Sequence, residues 1–339
     1  MLMAVVGGAI HFPRPPVFVD GLIAVEDAQD VEGDQQIRFI DPATGNDVFA
    51  TPDAAAACAA HFSPDGIRYA LLYQDPDQVS TGVVNIGVAN TRGDFEPEFL
   101  FRKEAQIWFD PAWAPDGSAI VTTIEPVTSD ENGPGGRLWV LRTDGTAPRM
   151  LTDVGTVHST SWSASGNWIA FVGMGPDHPL YVISPDGTDL RKLRDSGVGS
   201  VAWSPTTDQL AFMGSDGRLH VVKPDGAEAA AIAYSPSPPD QGLGDVTPAW
   251  SPDGTRIALT YGGLKVIDVS SGAVSTIATS VQGGPVDWSA DGQRLVTTND
   301  AGNLLELSLN GSAPRLIASH LRGACMSAGR ALSWQKVAQ

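Results

Sequence analysis

Hydrophobic and polar residues alternate along short stretches of this chain, and turn-forming residues separate the stretches. Around Trp250, a segment ending at the tryptophan is followed by Ser-Pro-Asp-Gly and then by three further alternating segments, residues 256–260, 264–268 and 274–277. Alternation with a period of two is typical of β-strands that bury one face. The pattern therefore predicts a unit of four short strands joined by tight turns.

This unit recurs along the chain, and each copy starts with an aromatic residue, then Ser or Ala, then turn-forming residues. Six copies share this start, at Phe62, Trp113, Trp162, Trp203, Trp250 and Trp288. Trp334 begins a seventh copy, of which the chain contains the first strand. The aromatic residues are about 45 residues apart on average, the length of one four-stranded propeller blade.

The recurrent Asp residues of these turns are interpreted as turn-forming rather than as ligands. In Pro-Asp-Gly, Pro presets φ, Asp bonds to the backbone two residues further on, and Gly accepts a positive φ. Asp253 in the copy that starts at Trp250 is an example.

Three segments precede the first full copy and fit the second, third and fourth strands of a blade: residues 22–25, 36–40 and 47–50. Trp334 then supplies the missing first strand from the other end of the chain. A strand borrowed across the termini removes open sheet edges. We therefore predict an all-β fold, a seven-bladed β-propeller of four-stranded antiparallel blades, with a six-bladed ring with loose ends as the alternative.

The predicted ring is one domain, residues 21–339, and residues 1–20 are interpreted as an N-terminal extension or the remnant of a trimmed signal. The apolar residues 1–10 lack a basic region and are short for a signal peptide. A periplasmic or extracytoplasmic location is expected, with the cytoplasm as the alternative. Cys58 and Cys325 fall in equivalent loops of neighbouring blades, and either a disulfide or two buried thiols fit that placement.

Charge excludes some partners. The chain has 21 Lys and Arg against 39 Asp and Glu, a net charge of −18, which would repel a phosphate backbone and argues against nucleic acid. No stretch approaches the ~18 apolar residues of a membrane span. We expect a monomer that binds a protein or peptide, and the acidic balance favours a basic partner.

The two faces of such a ring differ in this chain. The turns between first and second strands and between third and fourth strands form one face, here called the turn face, and are short and uniform. The second-to-third loops and the links between blades form the other, the loop face, and vary widely in length. Such variation predicts a recognition surface, although neutral drift would also produce it. The loop face is expected to be acidic, through Asp27, Asp30, Glu32, Asp34, Asp75, Asp77, Glu125, Asp130, Glu131, Asp240 and Asp245.

Five residues that precede first strands are the candidate ligand contacts near the channel mouth: Trp108, Asp110, His158, Asp245 and Arg330. The six histidines show no metal-binding spacing, although a ring can bring His61, His158 and His320 together. No catalytic residue, metal or cofactor is predicted from these patterns. Gly-x-Ser-x-Gly, the nucleophile turn of α/β-hydrolases, does not occur in the sequence.

The repeated Trp-Ser-Pro-Asp-Gly, followed by strands such as Ile169-Ala170-Phe171 and Leu180-Tyr181-Val182-Ile183, resembles the TolB-type propeller repeat, most closely over 245–277 and 159–193. Similar repeats occur in the propellers of prolyl-oligopeptidase-type peptidases and oligogalacturonate lyases, so the resemblance indicates fold more than function. It implies a non-catalytic binding or assembly module of bacterial cell envelopes that recognises its partner on the loop face. The alternative is a propeller lyase or hydrolase that acts on a carbohydrate-type substrate at the channel mouth.

Overall fold

The strands of the computed structural model follow the period of the sequence repeat. The structure describes residues 18–28, 35–52, 56–74, 83–91, 97–126, 136–155, 157–174, 177–232, 246–281, 284–321 and 332–338. In chain order the strands are β1 (Phe18–Ala28), β2 (Gln35–Ile40), β3 (Asp47–Ala50), β4 (Ala56–Phe62), β5 (Arg68–Gln74), β6 (Val83–Asn90), β7 (Glu98–Trp113), β8 (Ala119–Pro126), β9 (Arg137–Arg142), β10 (Arg149–Thr152), β11 (Val157–Trp162), β12 (Ile169–Gly173), β13 (Leu180–Ile183), β14 (Leu190–Arg194), β15 (Val198–Trp203), β16 (Leu210–Gly214), β17 (Leu219–Val222), β18 (Glu228–Ile232), β19 (Ala249–Trp250), β20 (Arg256–Leu259), β21 (Leu264–Asp268), β22 (Val274–Ala278), β23 (Val286–Trp288), β24 (Arg294–Thr298), β25 (Leu304–Ser308), β26 (Arg315–Ala318) and β27 (Leu332–Ala338).

These strands form seven four-stranded antiparallel blades. Blade 1 has the order β27-β1-β2-β3, and blades 4 to 7 are β11–β14, β15–β18, β19–β22 and β23–β26. Blades 2 and 3 share the 16-residue strand β7, whose residues 98–104 pair with β6 and whose residues 105–113 pair with β8. One long strand is therefore the outer strand of blade 2 and the inner strand of blade 3. The predicted seven-bladed fold is confirmed.

The ring closes through the two ends of the chain. β27 pairs with β1 in antiparallel register, with Trp334 opposite Ile23 and Leu332 opposite Val25. The first strands of the blades contact one another in sequence around the ring, from β4 through β7, β11, β15, β19 and β23 to β27 and back to β4. The alternative of a six-bladed ring with loose ends is therefore wrong. In the described part of the chain, no helix is long and apolar enough to cross a membrane.

Three of the repeat tryptophans donate hydrogen bonds across the interface between blades. The indole Nε1 of Trp288 donates to the carbonyl of Ala249, at 2.9 Å, in the first strand of the preceding blade. Trp113 and Trp250 make the same bond, to the carbonyls of His61 at 2.9 Å and Ala202 at 3.0 Å. At these three positions, the repeated aromatic residue therefore fills the space between blades and satisfies an inner-strand carbonyl there.

The repeat aspartates form turns, as predicted. In blade 6, Ser251 Oγ donates to Asp253 Oδ1 at 2.5 Å, and Asp253 accepts the N–H of Thr255 at 3.0 Å. Burial raises the pKa of Asp253, but the bonds from Ser251 and Thr255 outweigh it, so the pKa is lowered overall. Gly254 has a φ of +69°, and a Cβ there would lie 2.1 Å from Thr206 Oγ1. The residues of the repeated Ser-Pro-Asp-Gly motif therefore stabilise the turns of the fold.

Candidate functional site

The repeat residues of the turn face also hold neighbouring blades together. At the start of β20, the guanidinium of Arg256 lies 5.0 Å from the ring centroid of Trp288 in the next blade, and its Nη2 donates to the carbonyl of Gly292 at 2.8 Å. Arg68 makes the equivalent contacts with Trp113, at 5.5 Å, and with the Gly117 carbonyl, at 2.9 Å. These side chains are occupied in forming the ring, which leaves the residues specific to single blades as candidates for a functional site.

The first strand of blade 4 is irregular where it meets the loop face. His158 is the second residue of β11 and pairs with Val172, and the register shifts between His158 and Thr160. Between them, Ser159 has a φ of +50°, which is unusual for a residue other than glycine. Its Oγ accepts the N–H of Val201 in blade 5 at 2.9 Å. The first strands of blades 2, 3 and 5 have a similar register shift, so the bulge belongs to the repeat, and the histidine beside it is what distinguishes blade 4.

Beside this bulge, His158 meets a second histidine. His178 lies in the loop between β12 and β13, with a φ of +48°, and its Nδ1 is 3.3 Å from His158 Nε2. The ring centroids are 5.5 Å apart and the planes are inclined at 73°. His158 is half-buried and His178 is exposed. The pair therefore presents imidazole groups from the loop face of blade 4.

Burial, and then the nearby His178, lower the pKa of His158 to about 4. His158 is therefore neutral near pH 7, with one ring nitrogen able to donate and the other to accept a hydrogen bond. Two neighbouring imidazoles of this kind are suited to recognising polar groups such as peptide amides. Among the described residues, no three His, Cys, Asp or Glu side chains are grouped so that they could hold a metal ion.

The low pKa of His158 makes the stability of the protein depend on pH. Because the ordinary pKa of a histidine is 6.5 and that of His158 in the folded protein is about 4, the unfolded chain takes up the proton first as pH falls. This contribution to stability is fully present above pH ~6.5 and is lost as pH falls towards ~4. We expect the variant His158→Gln to lose a few degrees less in Tm than the parent between pH 6.5 and pH 4.5, measured by thermal unfolding. The exposed His320→Gln is the control, and identical profiles for all three proteins would contradict the assignment.

Backbone hydrogen bonds fix the loop of blade 4 to its neighbours. The N–H of Gly197, in the link to blade 5, donates to Asp177 at 2.6 Å, and the N–H of Val198 donates to the carbonyl of His178 at 3.2 Å. The N–H of Ser215, in the corresponding loop of blade 5, donates to Gly197 at 2.7 Å. This part of the loop face is therefore a continuous, preformed surface.

The candidate contacts predicted from the sequence have different outcomes. The structure places His158 on the loop face, and its contact with a ligand stays a prediction. Trp108 and Asp110 lie within β7, Trp108 opposite Thr123 and Asp110 in the irregular stretch before Ala112. Asp245, Arg330 and also Cys325 fall outside the described residues, so the contacts of Asp245 and Arg330 and the proposed pairing of Cys58 with Cys325 stay predictions.

Two expectations for the loop face are corrected by the structure. Asp27 was expected in an acidic loop, but it lies within β1, is 7% exposed and bonds to Arg38 at 2.9 Å, because the strand continues to Ala28. His61 was a possible neighbour of His158, but it lies beside Phe62, at the turn end of its strand, whereas His158 lies at the loop end. Glu125 lies in β8, and the other acidic residues expected on this face, Asp30, Glu32, Asp34, Asp75, Asp77, Asp130, Glu131, Asp240 and Asp245, fall outside the described residues.

The sequence patterns missed His178. No fixed spacing links it to His158, because the two lie 20 residues apart in different elements. A usable signal was its position in the second-to-third loop of the blade whose first strand begins with His158, since both segments reach the loop face.

The fold and this surface define a seven-bladed β-propeller closed by its two termini. Among solved structures, TolB from Acinetobacter baumannii matches with a TM-score of 0.54 and 14% identity, over 92% of this chain and 82% of that chain. A putative TolB from Agrobacterium tumefaciens matches with a TM-score of 0.51 and 16% identity, over 94% of this chain and 100% of that chain. The resemblance to TolB-type propellers is thereby confirmed for the fold.

Hydrolases also share the propeller. A puromycin hydrolase mutant complexed with PGG matches with a TM-score of 0.65 and 16% identity, over 94% of this chain and 55% of that chain. Over 107 residues, 30% of this chain, the sequence is 30% identical to YuxL of Bacillus subtilis, described as an uncharacterized peptidase. That match spans 16% of YuxL. No protein-family model matches the chain.

Proposed function

We propose that this protein is a non-catalytic binding or assembly module that recognises a protein or peptide on its loop face. The observation that carries the proposal is the pair of His158 and His178, a blade-specific arrangement on a surface held in place by backbone hydrogen bonds. A preformed surface of this kind binds with little backbone change. The likeness of the fold to TolB proteins supports this proposal. The same likeness supports an extracytoplasmic location, which we propose as well.

The net charge of −18 favours a basic partner and a salt-sensitive association. A monomeric propeller exposes the whole loop face to that partner. We therefore expect the affinity to fall as ionic strength rises, because screening weakens attraction between exposed charges.

Peptides selected from a random library against the parent protein test the proposal. Calorimetry should show that the double variant His158→Gln/His178→Ala binds them about tenfold more weakly, the effect of losing roughly 1.4 kcal/mol of hydrogen bonding. Lys192→Ala is the matched control, because Lys192 is exposed on the outer strand of the same blade and pairs with Asp195. Equal affinity of the parent and the double variant, or affinity unchanged between low and high salt, would contradict the proposal.

The alternative is an enzymatic role, and here the comparisons favour a hydrolase over a carbohydrate lyase. The puromycin hydrolase shares the fold over 94% of this chain, and the identity to YuxL points in the same direction. Release of nitroaniline from aminoacyl-nitroanilides by the purified protein would favour the alternative and overturn the non-catalytic proposal.

A further inference from the structure

Among blades 2 to 7, the residue at the position that faces the tryptophan of the next blade is smallest in blade 3. Six residues after the repeat aromatic residue, blades 2, 6 and 7 each carry an arginine that lies over the tryptophan of the next blade: Arg68, Arg256 and Arg294. Blades 4 and 5 carry the large side chains of Trp168 and Gln209 at this position. In blade 3 the equivalent residue, four after Pro115, is Ala119, which is 2% exposed. The next tryptophan, Trp162, therefore packs near a methyl group, where Trp113, Trp288 and Trp334 lie under a guanidinium.

The missing side chain leaves space because the two turns stay equally far apart. A Cβ added to Gly166 would lie 3.5 Å from Cγ of Pro115, and one added to Gly292 would lie 3.6 Å from Cδ of Pro252. At Gly292, however, the same atom would also lie 3.2 Å from Nη2 of Arg256. The interface between blades 3 and 4 has thus kept the shape of the repeat without the guanidinium that occupies it elsewhere.

A cleft of about 500 Å³ opens at this position on the turn face. Pro115, Ala119, Trp162 and Gly166 line it, together with the carboxylate-bearing Asp116. We call this cleft the open slot. It is large enough for a whole side chain with part of a peptide backbone.

Trp162 donates to the turn carbonyl that an arginine caps in other interfaces. Its indole Nε1 donates to the carbonyl of Gly166 in its own turn, at 3.1 Å. In the complete interfaces the equivalent carbonyl, that of Gly117 or Gly292, accepts from the arginine of the preceding blade. A carbonyl oxygen has two lone pairs, so Gly166 can accept a second bond from an incoming donor while the aromatic ring offers its face.

One carboxylate in the lining of the open slot, that of Asp116, can pair with a cation. Hydrogen bonds from Ser118 lower the pKa of Asp116, so this carboxylate is ionised at neutral pH. Two arginines also line the cleft, but both are engaged: Arg142 pairs with Asp144 at 3.0 Å, and Arg149 donates to the carbonyls of Pro185 and Asp186.

We propose that the open slot binds an arginine side chain of a peptide or protein partner. The incoming guanidinium takes the place that Arg68 and Arg256 occupy in their own interfaces, over the tryptophan and against the turn carbonyl. This site lies on the opposite face from the His158 and His178 pair, and it goes beyond the function proposed above.

The probe is the capped tripeptide acetyl-Gly-Arg-Gly-amide, and its control is the same peptide with citrulline, which is neutral and nearly isosteric. Calorimetry should show the arginine peptide binding the parent at least about fivefold more tightly than the citrulline peptide. In Ala119→Arg, the chain supplies its own guanidinium, so binding of the probe should be lost and Tm should rise. Equal binding of the two peptides, or undiminished binding by a folded Ala119→Arg, would overturn the proposal.

Asp116→Asn keeps the test decisive if Ala119→Arg does not fold. Asparagine retains the oxygen that accepts the Ser118 N–H, at 2.9 Å in the parent, but removes the charge. We expect a severalfold loss of affinity for the arginine peptide and no change for citrulline, whereas an unchanged affinity for arginine would overturn the proposal. Tighter binding of acetyl-Gly-Glu-Gly-amide than of the arginine peptide would also overturn it. The double variant His158→Gln/His178→Ala should bind the arginine peptide normally, which separates this site from the loop face.

Discussion

Replacing Trp334 by alanine is expected to lower the free energy of unfolding by about 3–5 kcal/mol, the largest effect of any single substitution considered for this protein. The side chain is 1% exposed, and it packs with Ile23, Val296 and Leu332 between blades 7 and 1. Its backbone N–H also donates to Asp287 Oδ2 at 2.7 Å. Removing the indole ring leaves a cavity in blade 1, which closes the propeller. In this blade the first strand is held by pairing and packing alone, because it comes from the opposite end of the chain.

Urea unfolding monitored by circular dichroism measures this loss. Trp162→Ala is the matched control, because Trp162 holds the same repeat position but is half-buried and donates to its own turn. Trp334→Phe should cost far less than the alanine variant, since the Nε1 of Trp334 has no hydrogen-bond partner among the described residues. Equal losses for Trp334→Ala and Trp162→Ala would show that closure does not depend on the C-terminal strand as described.

Replacing Arg256 by alanine is expected to cost about 2 kcal/mol, from one cation–π contact and one hydrogen bond to a carbonyl. The guanidinium lies over the ring of Trp288 and caps the carbonyl of Gly292, so both contacts to blade 7 are lost together. Lysine in its place keeps the charge but not the planar fork, and should recover only part of the loss.

The same unfolding measurement, made on the alanine and lysine variants, tests the role of this arginine. Lys265→Ala is a suitable control, because Lys265 lies in the same blade and donates to Thr276 within it at 2.7 Å. If Arg256→Ala unfolds like the Lys265 control, the arginine does not hold the two blades together. That result would also remove the physical basis for an arginine site at the open slot.

Much of the fold could be predicted from the sequence because its information is local and repeated. Each blade is built from alternating strands and turns whose residues carry their own conformational preferences, as Asp253 and Gly254 illustrate. The split blade was also predictable, since Trp334 marks a first strand with no partner nearby in the chain and residues 22–25 need one. The shared strand β7 was not, because nothing local separates an outer strand from the inner strand that follows it without a turn.

The candidate site was predictable only in part. Of the expected contacts, His158 is on the loop face, but its partner His178 belongs to another element. Asp27 was expected to be solvated because it is charged and lies near a polar segment, yet strand extension and Arg38 bury it. The position of His178 and the burial of Asp27 both depend on where a neighbouring loop or strand ends, and the local sequence pattern does not determine that boundary.

The sequence by itself determined the four-stranded blade and its period and favoured seven blades over six, because turn chemistry and strand alternation act within about 45 residues. Only the pairing of β27 with β1 decided that the ring closes with seven blades. The tertiary structure decided which side chains meet across blades. The His158 and His178 pair arises from the loop that folds back beside the bulged inner strand. The open slot arises because the packing of two blades brings Ala119 and Trp162 together. Alanine at position 119 leaves a cleft there because the tryptophan of the next blade lies beside it.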